Sequence, residues 1–319
     1  MQRCDIIMPT HNSAATIVHT VTALFAQHAP PSWQMRLIIS DDGSRDGTVR
    51  QATHLPQPGS WLPTVILPGE HTGAAAARNR GLAASDADIV LFLGADIIMR
   101  PGALACHLNF HHINKQPHLA ALGMVKWDPR LPPTPLMEWM MRGGPQNNLD
   151  ALLGSATADP QHFWYGSHLS VKRSFLGQNP FPTIYESYGW EDIDCGRALA
   201  KRGLTLSVLH DAVALHHHIY TIATFTARQY QAGQGLVVYQ RRYPDIELIP
   251  SMRPLKRLIW QLISNMGLLR ALGLFLTITS RFFATPHLFE VLAAGQLWRG
   301  VRAGLQRSTK EYIRCSCWV

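Results

Sequence analysis

The chain has 319 residues, 46% hydrophobic and 16% charged, a normal globular composition with material for one large or two medium domains. Its net charge of +8 suits an anionic partner: a nucleic acid, a phosphorylated small molecule or an anionic membrane face. Five cysteines, odd in number and mostly scattered, imply no disulfide framework and make a reducing cytosol the expectation; the first residues lack the apolar core of a signal peptide.

Residues 5–8 read as a first strand closed by Pro9, with Thr10-His11-Asn12-Ser13 supplying caps for a helix over 14–27. A second strand over 35–40 runs into the polar turn Asp41-Asp42-Gly43-Ser44-Arg45-Asp46-Gly47-Thr48 and a short helix. A short strand over 65–67, a loop over 69–73 and an Ala-rich helix over 74–84 follow. Ile89-Val90-Leu91-Phe92-Leu93 is a continuous apolar run, as expected of a strand buried on both faces. It ends in Gly94-Ala95-Asp96. Ligands of open α/β sheets bind outside the carboxyl ends of strands, so Asp96 stands where chemistry is expected, as a cap, a turn residue or a metal ligand. Strands and helices alternating at this spacing indicate a mostly parallel sheet. The chain has no G-x-G-x-x-G after its first strand and no P-loop, which argues against dinucleotide-binding and P-loop chemistry.

Further on, a helix is expected over 103–114 and a strand over 120–127. A long loop over 128–160 carries a short helix near 136–141. Residues 164–173 pass from strand into helix, and a helix starting near Glu191 sets its first carboxylates at its positive end. A strand over 205–209 and a segment over 212–215 lead into His216-His217-His218. A helix over 221–243 and a strongly apolar helical stretch over 255–283 close the chain. Arg78 and Arg80 read either as solvated helix charges or as a basic helix near a diphosphate.

Pro9-Thr10-His11-Asn12, the Asp41–Thr48 run, Gly73 to Gly81 with Arg78 and Asn79, Ala95-Asp96 and Trp190-Glu191-Asp192 occur in that order. Together they resemble family 2 glycosyltransferases of the GT-A fold, an α/β architecture, over roughly residues 3–243. The resemblance implies a nucleotide-sugar donor, usually a UDP-sugar, a divalent metal and inverting transfer. It also implies roles: Asp42 contacts the nucleobase, and Pro9, Thr10, Asn12, Gly73, Arg78 and Ala95 belong to the donor site. Asp96 matches the last Asp of the D-x-D metal motif. Asp192 matches the catalytic base, with Glu191 beside it. His216, 24 residues after Asp192, lies where metal-dependent relatives carry a histidine ligand. One departure is that Gly94 replaces the first Asp of D-x-D.

The residue types suit that chemistry. A metal bridging two phosphates offsets charge as the anomeric bond breaks. Carboxylates suit Mg²⁺ or Mn²⁺, and an imidazole tilts the choice toward Mn²⁺. Trp190, and Tyr165 or Trp164, are candidates to stack on an acceptor sugar, Trp190 equally a candidate for the core. The plain readings stay open beside these: Asp42 as an Asx-turn, Asp192 as a helix N-terminal charge and His216 as part of a polar strand end.

The expected organisation is a nucleotide-sugar-binding half over 1–105, an acceptor-binding and catalytic half over 106–243, and a helical extension over 244–319. Arg270 and Arg281 interrupt the apolar stretch, so no membrane span is expected there. With Lys256 and Arg257 they describe a segment lying in a membrane interface, or a helical hairpin packed on its own enzyme or on a dimer mate. The expected protein is therefore peripheral on the inner face of the cell membrane. Its expected partners are a nucleotide-sugar, a glycan or lipid-linked acceptor and an anionic membrane surface, with no nucleic acid. Two rivals remain. A sugar-phosphate nucleotidyltransferase calls for a Gly-rich basic loop where Pro9-Thr10-His11-Asn12 stands. A catalytically silent sugar-binding protein has no need of Asp96, Asp192 and His216 together.

Overall fold

The computed structural model describes residues 1–141, 149–185, 189–246, 267–283 and 286–316. In chain order its elements are β1 (Gln2–Thr10), α1 (Ile17–Phe25), β2 (Trp33–Asp41), α2 (Thr48–Thr53), β3 (Leu62–Leu67), α3 (Ala74–Ala83), β4 (Ile89–Leu93), β5 (Ile97–Met99), α4 (Ala103–Ile113), β6 (Leu119–Trp127) and α5 (Pro135–Met141). After these come β7 (Thr157–Ala158), α6 (Pro160–Phe163), β8 (His168–Lys172), α7 (Arg173–Leu176), α8 (Glu191–Ala200), β9 (Thr205–His216), α9 (Ile222–Arg242), α10 (Leu268–Phe283) and α11 (Pro286–Ser316). They fall into two units, one of Met1–Leu131, Leu149–Thr183 and Glu191–His218, the other of Pro132–Asn148, Ile184–Trp190 and Ile219–Val319.

The first unit holds the sheet, ordered β3-β2-β1-β4-β8-β6-β9-β5, with β7 also on β9. The expected parallel order holds across β3, β2, β1 and β4, each joined to the next in sequence by a crossover helix. Beyond β4 the sheet is mixed: β8 runs antiparallel to β4 and β6, and β6 is parallel to β9. β4 is buried along its whole length, as its unbroken apolar sequence requires. The segments read as 205–209 and 212–215 are one strand, β9. Three extra residues, His210 to Ala212, bulge out where the register against β6 jumps from Gly123–Leu209 to Met124–Val213.

Two short strands escaped the sequence reading. β5 pairs antiparallel with β9 and sets Ile97 opposite His216, and β7 lies inside what reads as loop. Three residues are too few for a period to show. The second unit is helical, and α9 opens with a capping box between Thr221 and Thr224. There α9 and α11 meet backbone to backbone. A Cβ on Gly233 would stand 2.0 Å from the Leu297 carbonyl oxygen, and one on Gly300 would overlap the Tyr230 carbonyl, so only glycine permits the approach. Trp139 of α5 packs edge-on to Phe225 and beside Phe289. Of the apolar stretch read over 255–283, residues 255–266 lie outside the described residues; Leu268–Phe283 form α10.

A polar chain runs through the core of the first unit between α4 and β8. His107 Nε2 lies 3.2 Å from His168 Nε2, and its Nδ1 is 2.8 Å from Ser170 Oγ. Ser170 Oγ is also 2.9 Å from His111 Nε2, and the Lys172 ammonium is 3.3 Å from His111 Nδ1. Gly123 makes room for this chain: a Cβ there would lie 2.3 Å from the His168 ring. Burial pushes the His168 imidazole down to about 4, and burial with the Lys172 charge takes His111 down to about 3. His107 is likewise lowered, by burial first and then by the neighbouring histidines.

An unfolded histidine binds its proton near pH ~6.5, whereas these three stay neutral in the fold. Below that pH the unfolded state binds more protons, so stability is present above it and is lost as pH falls toward 4. Unfolding free energy should drop by on the order of 1.4 kcal/mol per pH unit for each such histidine. His111→Asn should remove about one proton of that slope. Denaturant unfolding at pH 7, 6 and 5 measures it; parallel slopes for the two proteins would refute the assignment.

Candidate active site

Each carboxylate of the Asp41–Thr48 run holds a loop. Asp41 accepts from the Ser44 N–H at 3.0 Å and the Thr10 hydroxyl at 3.2 Å. Asp46 accepts from the Ala14 N–H at 2.9 Å and from the Thr48 hydroxyl. Asn12, at φ 48°, sits in the left-handed region that Asn tolerates, and its side-chain oxygen takes the Arg45 N–H at 2.9 Å. Pro9 and Thr10 run beside Ser40 and Asp41 in the β1–β2 ladder. Asp42 is buried, and its carboxylate accepts the N–H groups of Thr72 and Gly73 at 2.9 and 3.0 Å. It thereby fixes Gly73, whose φ of 97° calls for glycine, at the start of α3. His71 adds a contact to Asp42 at 3.0 Å, and its ring stacks on His11 at 4.1 Å. His11 and His71 were not singled out by sequence. Their nitrogens and Asp42 could surround a cation, but that carboxylate is already bonded to the backbone of the loop that leads into α3.

The second acidic centre follows β4. Asp96 Oδ2 lies 3.2 Å from His216 Nε2 and 3.8 Å from His218 Nδ1. All three side chains offer ligand atoms within 4.8 Å of one another. The β5–β9 pairing brings them together, assisted by the His217 N–H, which donates to the Asp96 carbonyl at 2.8 Å. Trp127 stacks flat on His216, with ring centroids 5.1 Å apart, and fixes its plane. His217, between the two, turns instead to Asp128 at 2.6 Å. One carboxylate and two imidazoles fit a divalent ion of intermediate softness, so these residues suit the metal that the resemblance implies. His218 is a donor the sequence did not single out. Gly94 also has a physical reason: a Cβ there would lie 2.9 Å from Ile97 Cγ1 and 3.0 Å from Asp96 Oδ1. A carboxylate at 94 would crowd the one at 96. Ala95, buried, accepts the Thr20 hydroxyl through its carbonyl at 2.9 Å.

Asp192 stands in the first turn of α8. Its Oδ2 accepts the Gly166 N–H at 3.0 Å, and Oδ1 faces Arg78 Nη1 at 3.2 Å. The same Arg78 nitrogen lies 3.5 Å from Glu191 Oε1. Gly166 permits this contact, since a Cβ there would lie 2.8 Å from Arg78 Nε. Burial pushes the Asp192 carboxyl up to about 6; Arg78 opposes the rise and Glu191 adds to it. The solvated reading of Arg78 and Arg80 is corrected here. Arg78 is 8% exposed, and Arg80 donates to the Asp41 carbonyl at 2.6 Å and to Ser40 Oγ at 3.1 Å. The Ala-rich sequence of α3 hid this, because its small side chains let the helix lie close to the sheet.

The Asp192 and Asp96 centres flank one rung of the sheet. Leu93 pairs with His168, and the next bond runs from the Gly94 N–H to the Ser167 carbonyl at 3.0 Å. Gly166, one residue from Ser167, touches Asp192; Asp96 is two residues past Gly94. Tyr165 is half-buried beside Phe163. Trp190 packs within the second unit: its indole N–H donates to the Ala232 carbonyl at 2.8 Å and its ring lies 4.8 Å from Tyr239.

A parallel nucleotide-type half-sheet, a mixed continuation and acidic strand ends on one side define a GT-A fold. The likeness to solved structures agrees. Mannosyltransferase PcManGT from Pyrobaculum calidifontis, in complex with GDP-Man and Mn²⁺, superposes with a TM-score of 0.57 at 19% identity, over 95% of this chain and 86% of that one. Residues 1–349 of S. aureus TarS in complex with UDP-GlcNAc give 0.52 at 16% identity, over 97% and 92% of the two chains. At these identities the likeness is one of fold. The sequence profile of glycosyl transferase family 2 matches residues 5–167, and the chain belongs to that family. Glycosyltransferase AglE of Haloferax volcanii is 32% identical over 92 residues, which span 29% of this chain and 30% of that protein.

Arg78 is the positive charge that keeps Asp192 from rising further. Arg78→Gln should therefore lift the Asp192 carboxyl by on the order of one pH unit. Carboxyl NMR titration of the two proteins measures it, and an unchanged or lowered midpoint in the variant would sink the account.

Proposed function

We propose that the protein transfers a sugar, with inversion, from a nucleotide-sugar to a hydroxyl of a glycan or lipid-linked acceptor, and that a UDP-sugar is the donor to test first. The observation that carries this is the single β4–β8 rung with Asp96, His216 and His218 on one side and Asp192 on the other. In this reading residues 1–105 hold the donor, 106–243 hold the acceptor and the catalytic groups, and the helical extension from 244 meets the membrane surface. Pro9, Thr10, Asn12 and Gly73 shape the donor loop through their backbone, and Asp42 holds that loop against the nucleobase side. Asp96, His216 and His218 are the residues to hold Mn²⁺ or Mg²⁺, which when bound offsets charge on the departing diphosphate.

Asp192 takes the proton from the acceptor hydroxyl as that oxygen attacks the anomeric carbon from the face opposite the leaving group. A carboxyl titrating near 6 is deprotonated at pH 7 and remains a better proton acceptor than an ordinary aspartate. Arg78 and the Gly166 N–H orient it, and Glu191 shares Arg78 with it. Tyr165, next to Gly166, is the aromatic ring proposed to stack on the acceptor sugar.

Asp192→Asn keeps the shape and removes the proton acceptor. Turnover of the matching donor should fall by roughly 10²–10⁴-fold while nucleotide binding by calorimetry is retained. A variant within a few-fold of the parent protein removes Asp192 from the role. Asp96→Ala should abolish Mn²⁺-dependent turnover across a panel of UDP- and GDP-sugars and weaken Mn²⁺ binding in the absence of donor. Full activity of the parent protein in excess chelator would end the metal reading.

A further inference from the structure

The helical unit contains a cavity lined by none of the residues assigned above to sugar transfer. It has a volume of about 410 Å³, within the ~300–1,000 Å³ range of small-molecule sites. Three arginines line it: Arg270 from the first turn of α10, and Arg299 and Arg302 from successive turns of α11. Tyr230 of α9 and Gln306 of α11 add polar groups, and Leu269 and Ala303 an apolar wall; no acidic residue lines it among the described residues. Gly267, at φ 72°, opens α10 here, so that helix's positive end faces the same space, and its first turn carries no acidic residue. The frame is stiff, because Gly300 sits between Arg299 and Arg302 and packs directly on the Tyr230 carbonyl.

We propose that this cavity binds the phosphate headgroup of a membrane lipid. The charge argument comes from the guanidinium groups. Planar forks match phosphate oxygens two at a time, and three lining one space, with Arg299 Nη1 also donating to Gln296 Oε1 at 3.1 Å, are suited to a doubly charged monoester or a diphosphate. The argument for a lipid, rather than a free phosphate, comes from α10. Leu269 and Leu276 point inward, 2% and 0% exposed. Leu268, Leu274, Phe275 and Ile278 lie on the outward side at 50%, 63%, 48% and 67%. Both sides of the helix are therefore apolar, and the outer stripe begins at the residue beside the cavity wall. A helix that lies in the interface buries such a stripe among acyl chains and keeps its basic groups at headgroup depth. No helix among the described residues is long and apolar enough to cross a membrane. The proposal goes beyond the membrane contact suggested for the extension by assigning a built headgroup site to three named arginines.

The test uses the full-length protein and vesicles of phosphatidylcholine with or without phosphatidic acid, in the absence of divalent metal. The parent protein should sediment with the phosphatidic acid vesicles and not with phosphatidylcholine alone. Arg270→Gln with Arg299→Gln should raise the lipid concentration for half-binding by roughly tenfold or more. A charge-matched variant, Lys115→Gln with Lys201→Gln, should bind like the parent protein. Millimolar inorganic diphosphate should release the parent protein from the vesicles, which tests the site without any substitution. Equal loss in both variants, no release by diphosphate, or diphosphate binding without any vesicle association would each overturn the proposal. Transfer to a soluble acceptor should be unchanged in the arginine variant, so failure here is separable from failure of the transferase reading.

Discussion

The chemistry of the first unit depends on one backbone hydrogen bond, from the Gly94 N–H to the Ser167 carbonyl. It extends the β4–β8 ladder one step past the last side-chain pair, Leu93 with His168. Without it the two strand ends would splay, and the segments carrying Asp96 and Gly166 would separate. A side chain at either glycine would interfere, at 94 with Asp96 and at 166 with Arg78 and Asp192. Gly166 looks unremarkable in sequence, and Gly94 stands out only as the residue in place of the first Asp of D-x-D. They are what lets three charged side chains and two backbones share a small volume.

That volume also sets the proton chemistry. Arg78 lies on the buried side of α3 and meets both carboxylates at the start of α8. A lone buried aspartate would be costly to ionise, and one fully neutralised by arginine would be a poor base. Asp192 lies between these limits, since burial and Glu191 raise it while Arg78 and the Gly166 N–H hold it down. The acidic run after β2 shows the opposite use of the same residue type. Asp41, Asp42 and Asp46 are spent on backbone N–H groups and give the donor loop its shape.

Much of this was legible in the sequence, for identifiable reasons. The buried run Ile89 to Leu93, the alternation of strands and helices before it and the spacing of the acidic motifs depend on local pattern, and they placed Asp96, Asp192 and His216 correctly on their elements. What depends on long-range register was not legible. β5 is too short to announce itself, yet it brings Asp96 to His216 and adds His218. In the triplet of histidines, the middle one, just past the end of β9, turns to Asp128, which no spacing rule reveals when the partner lies 89 residues away. The pairing of Arg78 with Glu191 and Asp192 joins distant segments in the same way, and α11 was expected only as part of a helical extension, without bounds of its own, because its core-facing positions mix glycines with apolar residues.

The bulge in β9 separates two mechanical tasks within one strand. Thr205 to Leu209 are zipped to β6 and anchor the strand in the core, while Val213 to His216 are held between β6 and β5 and carry the histidine that faces Asp96. His210 and Asp211, both exposed, take up the mismatch between these stretches. Changes of length in that exposed corner can be absorbed there, because neither ladder has to slide to accommodate them. The histidine's address is thus set by its neighbours across the sheet and not by counting from the start of the strand. A protein built this way can vary the corner, and whatever touches it, without retuning its catalytic centre.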